Sequence, residues 1–598
     1  MWMSFLSCVL VLLTAIASYA QEGSWKGYAI LGTGHLTAVY SDDTRIFKET
    51  QASGIQHFYF RDYTADYIAS TSFTLPKSQS SANVGMKNFF TAQTQDPEQT
   101  VLCFVHPDDA VVVSLRVHGP SANIPYKFEG VLRTSAGLSS LQVKDNVAVA
   151  VWSNGTALAI AGVGAQASVR GSTVILTGTL GAVAAQVLLV PALSADEAVG
   201  KARALQKKKD LEGEAKTYWD SWMASGRVPD FKDARYVEAY KRNLYCVKAA
   251  NLNGQIPADI TGQFVTNNMP QLYPRDAMMC ARVLLLTGHS EEARQVIEFW
   301  ANPRIPRKSP GEWYARYDAH AQAVDGGSGA RFDEPEWDAN GYFIYLLNEY
   351  HRAKGVWLVN PQQFYEIADF LVHHIGSNGL LQEGGIVEWT GYLPATNMIC
   401  AAALKTAANI AHEFGNQQKS ATYNEAAKRI AAALPQMFNQ TRQTYADVRS
   451  TDRKGEHGES IGDPAGEKTY LWDTTANVGA IWGYPNHREL ELSNAFYARN
   501  TVKQGGGMQY FDSPDAGLAA YGHGVFFFTT AAAAQYQSLY GDNSIAKSFI
   551  DWMLHNANSY GLMPERILPG GTEVSPASPL SWCSAELAAA LLLWSQHH

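Results

Sequence analysis

From about Arg235 onward the chain repeats one unit, and this repeat limits what the chain can fold into more than any other feature. The segment 286–300 (LTGHSEEARQVIEFW) has an echo at 539–553 (LYGDNSIAKSFIDWM), and both read as helix, Gly stop, helix. Looser copies pivot on Gly355 and Gly415. In each unit the glycine stands where a left-handed residue ends the first helix. A helical hairpin cannot bury its apolar face alone, so the hairpins must stack on one another, either into a closed ring or into an open solenoid.

If the ring closes, the segment from the outer helix of one pair to the inner helix of the next always emerges on one face. The polar motifs fall in such segments. Tyr273-Pro274-Arg275-Asp276 precedes a helix expected from near Ala277, and Glu336-Trp337-Asp338 precedes one from near Tyr342. Glu388 precedes one near Ala395, and Glu565 precedes one near Ser581. Four motifs far apart in the chain would then share one mouth.

The first third of the chain has a different period. Between Trp25 and Pro191, short runs rich in Val, Ile, Leu and Ala alternate with Gly, Asn, Asp and Ser at hairpin spacing, among them 110–117, 147–151, 173–176 and 185–190. They predict an antiparallel β-sandwich. An Ala-, Lys-, Glu- and Leu-rich stretch from Ser194 to about Ala224 reads as helical and would link the two parts. With 598 residues the chain exceeds one core. The expected partition is 21–193 sandwich, 194–234 helical linker and 235–598 helical domain.

Residues 1–20 read as a secretory signal: an apolar run from Phe5 to Ile16, then Ala17-Ser18-Tyr19-Ala20 ahead of Gln21. The n-region carries no Lys or Arg, and an uncleaved anchor is the alternative, although the run is shorter than the roughly 20 residues a span needs. A secreted or periplasmic location follows. Removing the signal leaves Cys103, Cys246, Cys280, Cys400 and Cys583, an odd set with no Cys-x-x-Cys, so neither a disulfide framework nor a zinc site is indicated. The net charge of −9 is dispersed, and the basic run Lys207-Lys208-Lys209 is followed at once by Asp210, which argues against nucleic acid as a partner.

Two stretches carry the chemistry. Gly385-Ile386-Val387-Glu388-Trp389 and Gly561-Leu562-Met563-Pro564-Glu565-Arg566 each set a carboxylate shortly before an apolar helix. Cleaving a glycosidic bond takes one protonated carboxyl to assist the leaving oxygen and one carboxylate to activate water or attack the sugar. The apolar Ile386, Val387 and Trp389 would desolvate Glu388 and favour its protonated form, while the charge of Arg566 would favour an ionised Glu565. Glu383 is the alternative acid if the register is shifted.

At these residues the chain resembles the glucoamylase-like glycoside hydrolases, glycoside hydrolase family 15, of the bacterial type with a β-sandwich and an (α/α)6 barrel. The likeness spans most of 237–594. Tyr273-Pro274-Arg275-Asp276 resembles the family's Arg-Asp motif, and 332–338, with Pro335, resembles a segment lining the sugar subsite. Gly385 to Glu388 resembles the acid motif and Pro564-Glu565 the base motif. Leu471-Trp472-Asp473, the run 522–527 and the run 579–586 follow in the family's order. Val387 replaces an aromatic residue, Trp389 a polar or charged one, and Arg566 a glutamine.

The resemblance implies an inverting exo-acting α-glucoside hydrolase with Glu388 as general acid and Glu565 as general base. Substrate would be held by Tyr273, Arg275, Asp276, Phe332, Trp337, Asp338, Trp389 and Arg566, with no metal and no organic cofactor. The substrate class would be α-linked oligosaccharides or polysaccharides. Linkage and oligomeric state are left open. Alternatives are a glycoside phosphorylase of a related (α/α)6 family, a non-catalytic carbohydrate-binding protein, and a polysaccharide lyase on a similar toroid.

Overall fold

The structure is a computed structural model, and it describes residues 25–47, 54–74, 83–118, 123–181, 184–324, 336–382, 391–449, 470–501, 506–509, 511–512 and 524–597. The signal segment, Phe332, Glu383, Glu388, Trp389 and His523 lie outside these residues. No helix is long and apolar enough to cross a membrane among those described.

The N-terminal part is antiparallel throughout. An eight-stranded sheet runs from Leu138–Lys144 at one edge to Asn83–Asn88 at the other, and its centre pairs Ala185–Ala192 with Ala110–Val117. A four-stranded sheet contains Ile124–Leu132 and Thr173–Leu180, in which buried and more open positions alternate, as expected of a strand with one face inward. A three-stranded sheet, Ala29–Gly32, Leu36–Ser41 and Gly54–Phe60, completes the layer structure.

The segment expected to be a linker is a packed layer as well. Ser194 caps the helix Ala195–Gln206, Asp210 caps Leu211–Ala224, and both helices lie on the eight-stranded sheet. Trp219 fastens the second by donating from Nε1 to Val105 O at 2.9 Å.

Beyond it the helices pair. The inner set is Pro274–Leu286, Asp338–Lys354, Pro394–Glu413, Ala476–Ile481, Phe527–Tyr540 and Ser581–Ser595. Each packs on the next and the last packs on the first, so the ring closes and an open solenoid is excluded. The outer set is Ala234–Ala250, Ser290–Ala301, Pro361–His374, Gln417–Ala433, Arg488–Thr501 and Asn543–His555. The division follows polarity. Ser581–Ser595 is buried on every side from Ser581 to Trp594, whereas Ser290–Ala301 buries chiefly the stripe Ala293, Val296, Ile297 and Trp300.

Two sequence expectations need correction. Gly288, Gly355 and Gly415 are left-handed, with φ of 92°, 73° and 79°, but Gly541 has φ −124°. Gly541 is required for space instead, because a Cβ there would strike Gln537 Oε1, which accepts from the Asp542 amide. The inner helices also begin earlier than expected, at Pro274, Asp338 and Pro394. Proline suits the first helical position because its missing N–H has no intrahelical partner there. Arg275, Asp276 and Asp338 therefore lie in first turns, where the helix dipole favours the two carboxylates.

The sandwich and the ring meet over a tight seam. Thr37 Oγ1 donates to Ala249 O at 2.6 Å, Tyr63 OH donates to Ala250 O at 2.6 Å, and Ser578 Oγ donates to Lys26 O at 2.8 Å. Gly32 sits where a Cβ would lie 2.6 Å from Ala249 O, a backbone atom that cannot step aside. Gly32→Ala is therefore expected to cost about 1–3 kcal/mol by overpacking. Chemical denaturation would check this, and an unchanged midpoint would show that the seam has slack.

Candidate active site

The polar starts of the inner helices come together at one end of the ring. Arg275 and Asp276 are nearly fully buried in the first turn of the Pro274 helix. Arg275 Nη1 donates to Glu336 Oε2 at 3.0 Å, and its Nε lies 3.7 Å from Asp276 Oδ2. Glu336 leads into the Asp338 helix, so this bond ties neighbouring helix starts. The Arg275 guanidinium carbon also stands 5.9 Å from the ring centre of Trp582, the second residue of the Ser581 helix. One cation thus links three inner helices.

Asp338 is fully buried and accepts from the Ala339 amide at 2.9 Å. Burial raises its pKa above the ordinary carboxylate value, against the opposing pull of Arg275. The cluster is therefore an array of buried carboxylates around one guanidinium, able to accept and donate hydrogen bonds in fixed directions.

Glu565 reaches the same end from the loop between the Asn543 and Ser581 helices. Its amide donates to Ala577 O at 3.0 Å, and its carbonyl accepts from the Phe527 amide at 3.1 Å. Its carboxylate Oε2 accepts from Gln263 Nε2 at 3.1 Å, and Gln263 Oε1 accepts from the Ala577 amide at 3.1 Å. Gln263 is thereby a clamp across the base of the loop. Its own position comes from Asp259, whose Oδ2 accepts from the amides of Gly262, Gln263 and Phe264 and whose Oδ1 accepts from that of Thr261. Burial raises the pKa of Asp259 more than these donors lower it.

Cys583 sits beside the Glu565 loop, its Sγ 3.8 Å from Glu565 O. Its thiol pKa is pushed well above the usual value, first by burial and then by the fields of both Glu565 and Asp276. All five described cysteines are free and buried.

The remaining expected residues are placed differently. Tyr273 caps the Pro274 helix, donates from its hydroxyl to Gln271 Oε1 at 2.9 Å, and lies under the Arg316 guanidinium, 5.4 Å from the ring centre. Trp337 turns to the outer layer, with its ring against Phe370 and His374 and its Nε1 donating to Glu312 Oε1 at 3.2 Å. Arg566 pairs with Phe526 in a short antiparallel bridge and sets its guanidinium carbon 5.3 Å from that ring centre. Glu388, Phe332 and Trp389 lie outside the described residues. Among those described, no group of three His, Cys, Asp or Glu side chains could hold a metal ion.

One contributor, Gln263, escaped the sequence reading, and two pairings inside motifs already named did as well. Gln263 sits in a loop whose only local sign is Asp259 ahead of Thr261 and Gly262, a turn signal. Glu336 as the Arg275 partner and Trp582 as its stacking surface had no local sign of pairing.

No protein-family model matches the chain, and no curated protein matches it in sequence. Solved structures do match. A bacterial glucoamylase complexed with acarbose superposes on 97% of this chain and 95% of its own, with a TM-score of 0.70 at 13% identity. A glucoamylase from Saccharomycopsis fibuligera covers 62% of this chain and 96% of its own, with a TM-score of 0.48 at 13% identity. An inverting mannosidase from Bacteroides thetaiotaomicron covers 95% of this chain and 83% of its own, with a TM-score of 0.48 at 10% identity. At 13% identity over nearly the whole length, what is shared is architecture: the chain has the β-sandwich and (α/α)6-barrel fold of the bacterial glucoamylase.

Proposed function

We propose that the chain is a secreted or periplasmic glycoside hydrolase, an inverting, exo-acting α-glucosidase that releases β-glucose from α-linked gluco-oligosaccharides or glucans. The observation that carries this reading is the Glu565 carboxylate, clamped by Gln263, at the same end of a closed ring as the buried Arg275, Asp276, Glu336 and Asp338 cluster.

In this reading Arg275 and Asp276 grip the hydroxyls of the terminal sugar, because a guanidinium donates and a carboxylate accepts where hydroxyls do both. They fix the ring and do not react. A buried cluster with donors and acceptors in fixed directions suits recognition of a terminal sugar rather than of a chain interior. Glu565 takes a proton from water, that water attacks the anomeric carbon, and Glu388 protonates the departing oxygen from the opposite face. An inverting pair holds water between carboxyls about 6.5–9.5 Å apart. Holding Oε2 on Gln263 keeps the Glu565 carboxylate from turning away from that water.

The test is product stereochemistry. Purified protein and Glu388→Gln are incubated with α-linked gluco-disaccharides and glucans while NMR follows the anomeric proton of the released sugar. Initial β-glucose from one linkage, absent in Glu388→Gln, is the expected result. Initial α-glucose would remove inversion, and silence across the panel would remove the α-glucoside reading. A requirement for phosphate, with sugar phosphate as product, would instead identify a phosphorylase.

A further inference from the structure

A cavity of about 430 Å³ opens between the sandwich and the ring, and its wall includes none of Arg275, Asp276, Asp338 or Glu565. This is the size of a small-ligand site, and it lies where two domains meet, a preferred place for such sites. The sandwich contributes His57, Arg133 and Ser135, and the ring contributes Asn267, Asn268 and His320.

The polar groups that line it are arranged in two tiers. The rear tier is internally satisfied. Asp66 Oδ2 lies 2.8 Å from His57 Nδ1 and 2.5 Å from Arg133 Nε, and its Oδ1 accepts from the Phe58 amide. This fixes the front tier. Asp66 and Arg133 both meet His57 at Nδ1, which leaves Nε2 as the ring nitrogen that no other described residue engages. Among the described residues, Arg133 Nη1, the Ser135 hydroxyl, the side-chain amides of Asn267 and Asn268 and the His320 ring make no hydrogen bond. Asn267 and Asn268 have φ of 53° and 63°, the two left-handed residues of the tight hairpin joining Val265–Thr266 to Met269–Pro270.

Charge selects among ligands. Arg133, the only Lys or Arg among the described lining residues, is already balanced by Asp66, and Asp259 in the same wall is saturated by backbone donors. An anion would gain little, whereas a neutral polyhydroxylated ligand matches alternating donors and acceptors without desolvating a charge. The geometry points to a second carbohydrate site at the sandwich–ring seam, one that takes a neutral oligosaccharide. The site shares one element with the catalytic end: Gly262 lines the seam cavity, and its neighbour Gln263 holds Glu565.

The test does not depend on the catalytic reading, because it scores binding to the Glu565→Gln protein. Maltotriose, cellotriose and mannotriose are titrated by calorimetry and by saturation-transfer NMR. Two seam variants accompany it: Ser135→Trp, which fills an exposed wall of the cavity, and the combined Asn267→Gly, Asn268→Gly and His320→Ala. The glycines suit the left-handed turn and remove only the amides. The expected result is a binding event for at least one trisaccharide that weakens tenfold or more in both variants. In the otherwise wild-type chain, the same seam substitutions should leave disaccharide turnover within twofold. The proposal is overturned if no trisaccharide shows a binding event sensitive to both variants. Phosphate binding in place of sugar would overturn it as well.

Discussion

Glu565→Gln is expected to lower kcat by about two to four orders of magnitude, the usual contribution of a positioned general base, with KM and thermal stability little changed. The substitution is nearly isosteric, and the new side-chain oxygen can still accept from Gln263 Nε2 while Gln263 Oε1 keeps the Ala577 amide, so the loop held by Ala577 and Phe527 should stay in place. What is lost is the capacity to accept a proton from water. Steady-state kinetics on the substrate identified by the NMR panel, with circular dichroism to confirm folding, would read the effect. Turnover within tenfold of wild type in a folded variant would remove Glu565 from the base role. A matched loss of activity and melting temperature would make it a structural residue instead.

Arg282→Ala should produce the largest change in stability, a loss of about 3–5 kcal/mol, because it strands a buried carboxylate. Arg282 lies two turns below Arg275 on the Pro274 helix, inside the ring. Its Nη1 is 3.4 Å from Glu586 Oε2, its Nη2 donates to Gln535 Oε1 at 2.9 Å, and its guanidinium carbon stands 5.4 Å from the Trp482 ring centre. Gln535 Nε2 in turn donates to Glu586 Oε2 at 2.5 Å. Removing both charges, as Arg282→Met with Glu586→Leu, should recover much of the loss, since apolar replacement of a buried pair is often neutral or better.

The pH dependence of Arg282→Ala has a definite sign. Burial already raises the Glu586 pKa above its ordinary value, and Arg282 is what pulls it back. A carboxyl with a raised folded pKa binds more protons folded than unfolded. Its stabilisation is therefore full below the unfolded pKa and fades as pH climbs through the folded value. Without Arg282 that folded value rises further, so the deficit should shrink on acidification toward the ordinary carboxylate pKa and widen toward neutrality. Urea melts across that range would measure it, and a deficit independent of pH would mean the carboxyl is not stranded.

Local periodicity explains what could be read in advance. The change from period-two runs to helix, Gly, helix units separated the sandwich from the ring, because strand alternation and helical amphipathicity are properties of neighbouring residues. It also put Arg275, Asp338 and Glu565 at one end, since outer-to-inner connections in a closed ring can emerge on one face only. Finer placement needed backbone geometry. Pro274 starts its helix early enough to draw Arg275 and Asp276 into the first turn, and Gly541 serves for space where a left-handed cap was expected.

By itself, then, the sequence determined the two architectures, their order and the end of the ring where polar groups gather. Only the tertiary structure decided which groups meet. Gln263 finds Glu565 across 302 positions, Arg282 finds Glu586 across 304, and the seam cavity is assembled from His57 and Arg133 on one side and Asn268 and His320 on the other. No residue signals such pairings locally: a hydrogen bond between distant segments depends on how whole layers pack, and packing is a property of the closed ring and its docked sandwich, not of any window of the chain.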